Sequence, residues 1–307
     1  MFPSRKGKDF MKKEYLFAGI SILSWASTAA VGTLMMDSLS QFALVFYTSL
    51  TAAMFLLILV AVTGRLPLLR TLHLKDFFRM SALGILGMFL MSLFFYNGLA
   101  RLEAQQAYII NYLWPILIVV FSWLILRQPL TARTCFALLL SFFGVIIVAT
   151  EGNLTNLGGI DLSGVVSCLL GACCYALFAV FNTQVKCDKF VAMLVYYAST
   201  TLVSFLFLAV QEPVPILSVV QWGGTIWLGM VTNGLAYTTW ALAMDRGDTA
   251  KLSNLAYLTP FLSLVYIFFL LHEPILLSSY LGLVFILAGV LLQIWKFPAH
   301  RPRTVHT

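Results

Sequence analysis

Charge is what this sequence has least of. Only 10% of its 307 residues are Asp, Glu, Lys or Arg, where a soluble domain carries roughly a quarter. None of these, and no His, falls deep inside an apolar run. Intramembrane ionisable groups mark proton relays and ion pathways, so their absence speaks against a pump built on a buried carboxylate. Catalytic signatures are missing too: there is no HExxH, no GxxxxGK[ST], no GxGD-like aspartate pair and no His placed beside a nucleophilic Ser or Cys. An enzyme is therefore not expected. The five cysteines (Cys135, Cys168, Cys173, Cys174, Cys187) form no CxxC and no Cys/His cluster, and four of them read as small packing residues in apolar runs. Neither a metal nor any other cofactor is expected. Residues 1–14 are basic and polar without a cleavable signal pattern, so the first apolar span is expected to direct its own insertion.

What remains is hydrocarbon-soluble. Hydrophobic residues make up 61% of the chain and the mean hydropathy is +0.93. A membrane-crossing helix needs about 20 mostly apolar residues. That ruler gives ten spans, near 15–35, 40–62, 77–99, 104–126, 132–150, 162–182, 190–210, 220–243, 249–271 and 277–295. The fold class expected is an all-α integral membrane protein with short connections. The excess of nineteen Lys and Arg over twelve Asp and Glu fits membrane orientation better than nucleic acid. Eighteen of the nineteen fall on alternate segments: the N-terminus, the even-to-odd loops (Arg65 to Arg79, Arg127 and Arg133, Lys186 and Lys189, Arg246 and Lys251) and the C-terminus. Arg101 alone faces the other way. Excess Lys and Arg mark the cytoplasmic side, so both termini are expected there, in the cell inner membrane.

The chain also repeats itself. At an offset of 145 residues Leu83-Gly84 matches Leu228-Gly229, Arg101 matches Arg246, Pro129 matches Pro274 and Gly144-Val145 matches Gly289-Val290. The same offset carries Tyr112-Leu113-Trp114-Pro115 onto Tyr257-Leu258-Thr259-Pro260. Each half holds five spans, an odd number, so the second enters the membrane upside down: an inverted-topology repeat. The chain then divides into an N-terminal cytoplasmic segment (1–14), two five-helix repeats (15–150 and 151–296) and a cytoplasmic tail (297–307). Pro115 and Pro260 each remove an intrahelical hydrogen bond. In hydrocarbon a freed carbonyl is tolerated only where it lines protein or a wet cavity, so two broken helices in matching positions point to a site between the halves.

Polar and aromatic stripes at helical spacing converge on that site. Span 1 carries Ser21, Ser24, Trp25 and Thr28; span 4 carries Tyr108, Asn111, Tyr112 and Pro115; span 6 carries Gly171, Tyr175, Phe178 and Asn182. Span 8 repeats the last spacing with Asn233, Tyr237, Trp240 and Met244; span 3 offers Phe95 and Tyr96, and span 9 offers Ser253, Tyr257 and Pro260. Any one stripe has a plain reading as helix packing; together they suggest one cavity. The candidate substrate-binding residues are Trp25, Tyr96, Tyr108, Asn111, Tyr112, Trp114, Tyr175, Asn182, Asn233, Tyr237, Trp240 and Tyr257. Rings, amides and free carbonyls suit an amphipathic organic solute, held by stacking or cation–π contacts worth about 0.5–2 kcal/mol each. Arg101 is expected to pair with Glu103; attraction of a carboxylate-bearing solute is the other possibility. A carrier for small molecules is the first expectation, with membrane lipid as its surroundings and no nucleic-acid partner. An uncoupled channel or a lipid scramblase is the alternative, and the oligomeric state stays open.

The second half reads Pro260, then Leu271-His272-Glu273-Pro274, then Gly282 and Gly289-Val290; the first reads Pro115, Arg127-Gln128-Pro129 and Gly144-Val145. This pattern resembles the EamA-type carriers of the drug/metabolite transporter superfamily, with Gln128 standing where the family's glutamate is expected. The Asn111-Tyr112-Leu113-Trp114-Pro115 run is similar to that of the aromatic amino acid exporters in the superfamily. The resemblance implies ten helices in two inverted repeats around a central cavity, alternating access, and export of amino acids or related metabolites.

Overall fold

The computed structural model describes residues 6–127, 131–153, 161–246, 252, 255, 256 and 258–294. All regular structure among them is helical, as expected of a backbone that must satisfy its own polar groups in hydrocarbon. Six helices are long and apolar enough to cross a membrane: Lys13–Met36, Gln41–Val62, Leu74–Leu99, Ala104–Leu126, Leu162–Asn182 and Lys189–Gln211. Three shorter apolar helices, Cys135–Ala149, Thr259–Leu271 and Leu277–Leu292, accompany them. A further continuous helix covers 219–246, its apolar content diluted by Gln221, Gly223, Gly224 and Asn233.

In chain order the α-helices are α1 (Lys6–Ala26), α2 (Thr28–Met36), α3 (Gln41–Val62), α4 (Leu66–Arg70), α5 (Leu74–Gly84), α6 (Met91–Leu99), α7 (Ala104–Asn111), α8 (Trp114–Leu126) and α9 (Ala132–Ala149). Then follow α10 (Leu162–Asn182), α11 (Lys189–Gln211), α12 (Val219–Ile226), α13 (Ala236–Arg246), α14 (Thr259–Leu271) and α15 (Leu277–Ile294). Side chains set several starts. Ser40 Oγ accepts the Ala43 N–H, Asp161 the Gly164 N–H, Asp188 the Phe190 and Val191 N–H groups, and Ser218 the Gln221 N–H. Each satisfies a donor that the first helical turn leaves free.

Two helices contain a π-helical stretch: Ile85–Leu90 joins α5 to α6 and Trp227–Leu235 joins α12 to α13. A π-bulge inserts a residue and turns the following face about the helix axis. Breaks at Tyr112-Leu113 and before Thr259 separate α7 from α8 and open α14, and each following helix carries its proline in the first turn. Both helices also end on a left-handed residue, Arg127 (φ 54°) and His272 (φ 58°), which lie 145 positions apart. One break has no sequence signal: Ser27 interrupts the first span, donating to the Ser24 carbonyl and accepting the Trp227 indole N–H at 2.8 Å.

The helices pair across the chain: α9 with α15, α3 with α11, α6 with α10, and α1 with α13. The α9–α15 seam is packed backbone to backbone. A Cβ on Gly144 would lie 2.6 Å from the Gly282 carbonyl oxygen, and one on Gly289 would lie 2.6 Å from that of Ala137. Ser141 Oγ donates to the Ile286 carbonyl at 3.1 Å across the same seam. The largest buried cluster, with Ala29, Leu44, Phe95, Ile110, Val148 and Ile267 among its members, ties α2, α3, α6, α7, α9 and α14 together. At one end of the molecule Arg65 pairs with Asp188 at 3.1 Å and lies 4.6 Å over the Phe190 ring.

The corner that follows α14 meets the start of α7. Glu273 Oε1 accepts the Ala104 N–H at 3.4 Å, so this glutamate caps a helix far from it in sequence. Gln105 donates to the Pro274 carbonyl and accepts the Leu276 N–H. The equivalent corner of the first half, Gln128-Pro129, lies outside the described residues. The expected Arg101–Glu103 ion pair is not formed. Glu103 instead accepts from the Gln105 amide at 3.0 Å, while Gln106 Oε1 accepts the Glu103 N–H. Backbone donors at the helix start compete for that carboxylate, and Arg101 is left exposed.

Candidate functional site

The break between α7 and α8 turns a set of rings toward the centre of the bundle. Tyr108 and Asn111 come from the last turn of α7, Tyr112 from the break itself, and Trp114 from the first position of α8. Opposite stand Trp25 of α1, Tyr175 of α10, Asn233 of the second π-helical stretch, and Tyr237 and Trp240 of α13. These nine side chains, with Thr28, Met91, Phe95, Ala256 and Thr259, line a cavity of about 230 Å³. None of the described lining residues is ionisable at neutral pH.

The rings hold one another in two arcs. Trp25 stands edge-on to Tyr237 with centroids 5.3 Å apart and lies at the same distance from Trp240. Trp114 meets Tyr175 edge-on at 5.2 Å and Tyr112 at 5.9 Å, and Tyr112 continues to Tyr108 at 6.4 Å. These are the offset and edge-on geometries that aromatic quadrupoles favour. Hydrogen bonds close the arcs onto freed backbone: Tyr108 Oη donates to the Trp25 carbonyl at 3.3 Å and Tyr112 Oη to the Ala256 carbonyl at 3.0 Å. Two polar atoms in this wall have no partner among the described residues, Trp25 Nε1 and Asn111 Oδ1. An unsatisfied buried polar group costs about 1–3 kcal/mol, and such groups concentrate where a structure is built for something other than stability.

Two of the twelve candidate residues are not brought to this cavity. Tyr96 packs against α2, where a Cβ on Gly32 would lie 3.2 Å from its ring. Met91 and Phe95 of α6 line the cavity in its place. Asn182 is exposed at the end of α10, accepting the Tyr196 hydroxyl at 2.6 Å. Its stripe continued for eleven residues from Gly171, about 16 Å of helix rise, and so ran past the site. Tyr257 and Ser253 lie outside the described residues. Thr28 and Phe95 already stood on the stripes of spans 1 and 3, and Thr259 adjoins the second proline; Met91 and Ala256 carry no sequence signal.

Comparison with known proteins now bears on this site. The sequence model of the EamA-like transporter family matches residues 12–150 and again 162–295. The chain belongs to the EamA-like transporter family. It is a multi-pass membrane protein of a family whose members are transporters. Its relatives include the uncharacterized transporter YyaM of Bacillus subtilis, 25% identical over 79% of this chain and 80% of that protein. The aromatic amino acid exporter YddG of Ancylobacter novellus is 28% identical over 59% of this chain and 63% of its own length. A solved crystal structure, 21% identical, superposes with a TM-score of 0.63 over 92% of this chain and 96% of the other; that likeness shows a common fold. In this EamA-like transporter the cavity wall draws residues from both matched segments: Trp25 and the α7–α8 break from the first, Tyr175, Asn233, Tyr237 and Trp240 from the second.

Proposed function

We propose that this chain is a secondary carrier that exports aromatic amino acids, or related amphipathic metabolites, across the cytoplasmic membrane by alternating access. The observation that carries the reading is the uncharged, ring-lined cavity between the two matched segments. Rings offer apolar area and weak stacking, while Asn111, Asn233 and the unpartnered Trp25 N–H offer fixed polar contacts. A neutral wall gives no Coulombic reward for a net charge, which suits a zwitterion carrying an aromatic side chain. Weak, distributed contacts also allow release on the far side. The family's relative that exports aromatic amino acids supports this choice of solute.

Ten spans in two inverted five-helix repeats is the architecture that accompanies this reading. It is supported by the helix breaks, the left-handed caps and the π-helical stretches that recur near the 145-residue offset. The reciprocal contacts Gly144–Gly282 and Gly289–Ala137 map onto each other under the same offset, as a two-fold relation in the membrane plane requires. Lys and Arg distribution supports cytoplasmic termini. Proteoliposomes loaded with radiolabelled Phe, Trp or Tyr, beside a panel of metabolites, test the function. Saturable efflux with counterflow is the expected result; the absence of saturable flux for every candidate would overturn it.

A further inference from the structure

Outside the central cavity, the lipid-facing surface carries a groove of about 340 Å³ between α3 and α11. Met54 and Leu57 form one wall, Leu194 and Ala198 the other, while Leu69 of α4 and Phe77 of α5 close one end. No polar atom lines it. In a bilayer such a groove selects nothing by itself, because lipid tails are as apolar as the leucines around them. Selection must come from whatever sits at its mouth.

The mouth is basic. Leu69 and Phe77, which touch the groove, are one and two residues from Arg70 and Lys75. The same short connection therefore supplies both the apolar end of the groove and the charge above it. Arg70, His73 and Lys75 are exposed and make no side-chain hydrogen bond or ion pair with the described residues. The neighbouring cations are already engaged: Arg65 is held by Asp188 and Phe190, and Arg79 donates to Gln184 at 3.0 Å. Asp76 is the one acid on this turn. Basic side chains at a membrane surface attract anionic headgroups, each strengthening binding several-fold.

We propose that this groove binds an anionic glycerophospholipid, with one acyl chain against Met54, Leu57 and Ala198 and the phosphate of its headgroup held by Arg70 and Lys75. The site goes beyond the transport reading and stands whatever solute is carried. The test is native mass spectrometry and thermal unfolding of the purified full chain with phosphatidylglycerol or phosphatidylcholine of identical acyl chains. Phosphatidylglycerol is expected to bind on the order of ten- to thirty-fold more tightly and to raise the unfolding temperature. The double variant Arg70→Gln/Lys75→Gln changes only exposed side chains and is expected to bind both lipids alike. Ala198→Leu narrows the groove and is expected to weaken both lipids while keeping the preference. Equal retention of the two lipids by the natural chain, or an undiminished preference in the double variant, would overturn the proposal. Unchanged lipid binding in a folded Ala198→Leu protein would overturn the placement of the acyl chain.

Discussion

The α9–α15 seam and the central cavity are both helix interfaces in one bundle, yet they solve opposite problems. At the seam, glycines bring two backbones to a separation that admits no side chain, and Ser141 finds its acceptor on the opposite helix. Around the cavity, bulky rings hold the helices apart and two buried polar atoms go unpartnered. Close packing is the main source of helix association where lipid provides no hydrophobic drive, so the seam is where stability resides. The cavity forgoes part of that stability, and under the proposed function the part forgone is what a bound solute would recover. Mutations at the two places should therefore separate folding from transport.

The largest effect is expected from Gly144→Val. Its side chain would meet the Gly282 carbonyl rather than a yielding side chain, and overpacking of this kind costs about 1–3 kcal/mol or more. A lower unfolding temperature and a reduced folded yield, with any residual protein retaining its solute affinity, would bear out the division. Next comes Trp114→Ala, which removes the ring joining Tyr112 to Tyr175. Solute flux in proteoliposomes is expected to fall roughly tenfold, with the protein still folded. Unchanged flux would take the α7–α8 break out of the transport site.

Asn111→Leu sharpens the contrast, because its unpartnered oxygen contributes nothing to folding. Removing it should leave the unfolding temperature level or raise it by the equivalent of about 1 kcal/mol, while solute binding weakens. Asn182→Ala should do the reverse: it deletes the acceptor of the Tyr196 hydroxyl, lowering stability by about 1 kcal/mol with flux unchanged.

The smallest effect concerns pH. Burial raises the Glu273 carboxyl above its ordinary range and nearby Glu103 adds to the rise, against the Ala104 and Gln105 backbone donors that favour the charged form. A carboxyl raised on folding adds stability that is fully present below its unfolded pKa and is lost as pH rises through the folded value. The structure should therefore be slightly more stable in mild acid than near neutrality in this respect. Glu273→Gln keeps an oxygen acceptor for the Ala104 N–H and should flatten that slope in unfolding temperature as pH rises above the ordinary carboxylate range.

Much of this was visible in the residues themselves. Apolar runs of membrane length and the proline at each break are local signals, because they depend on neighbours within one or two turns. The rings of the α7–α8 break were visible for the same reason: each stripe is read from helical spacing, and several stripes together marked one cavity. What escaped was decided by contact between distant segments. The Ser27 break depends on the Trp227 indole two hundred residues away, and the capping of α7 by Glu273 depends on a corner from the other half. Tyr96 was assigned to the cavity because a regular helix would aim it there. Its neighbour Phe95 lines the cavity instead, and the Tyr96 ring lies against Gly32 of α2.

Composition and periodicity alone thus settled that the chain lives in a membrane as helices, and named most of the rings that meet at its centre. Which rings share the cavity, which polar atoms stay unpaired and which glycines must remain glycines were left to the tertiary structure. The physical reason is range: hydropathy and capping act within a few residues, whereas the rotation of a helix about its axis is set by the surfaces packed against it.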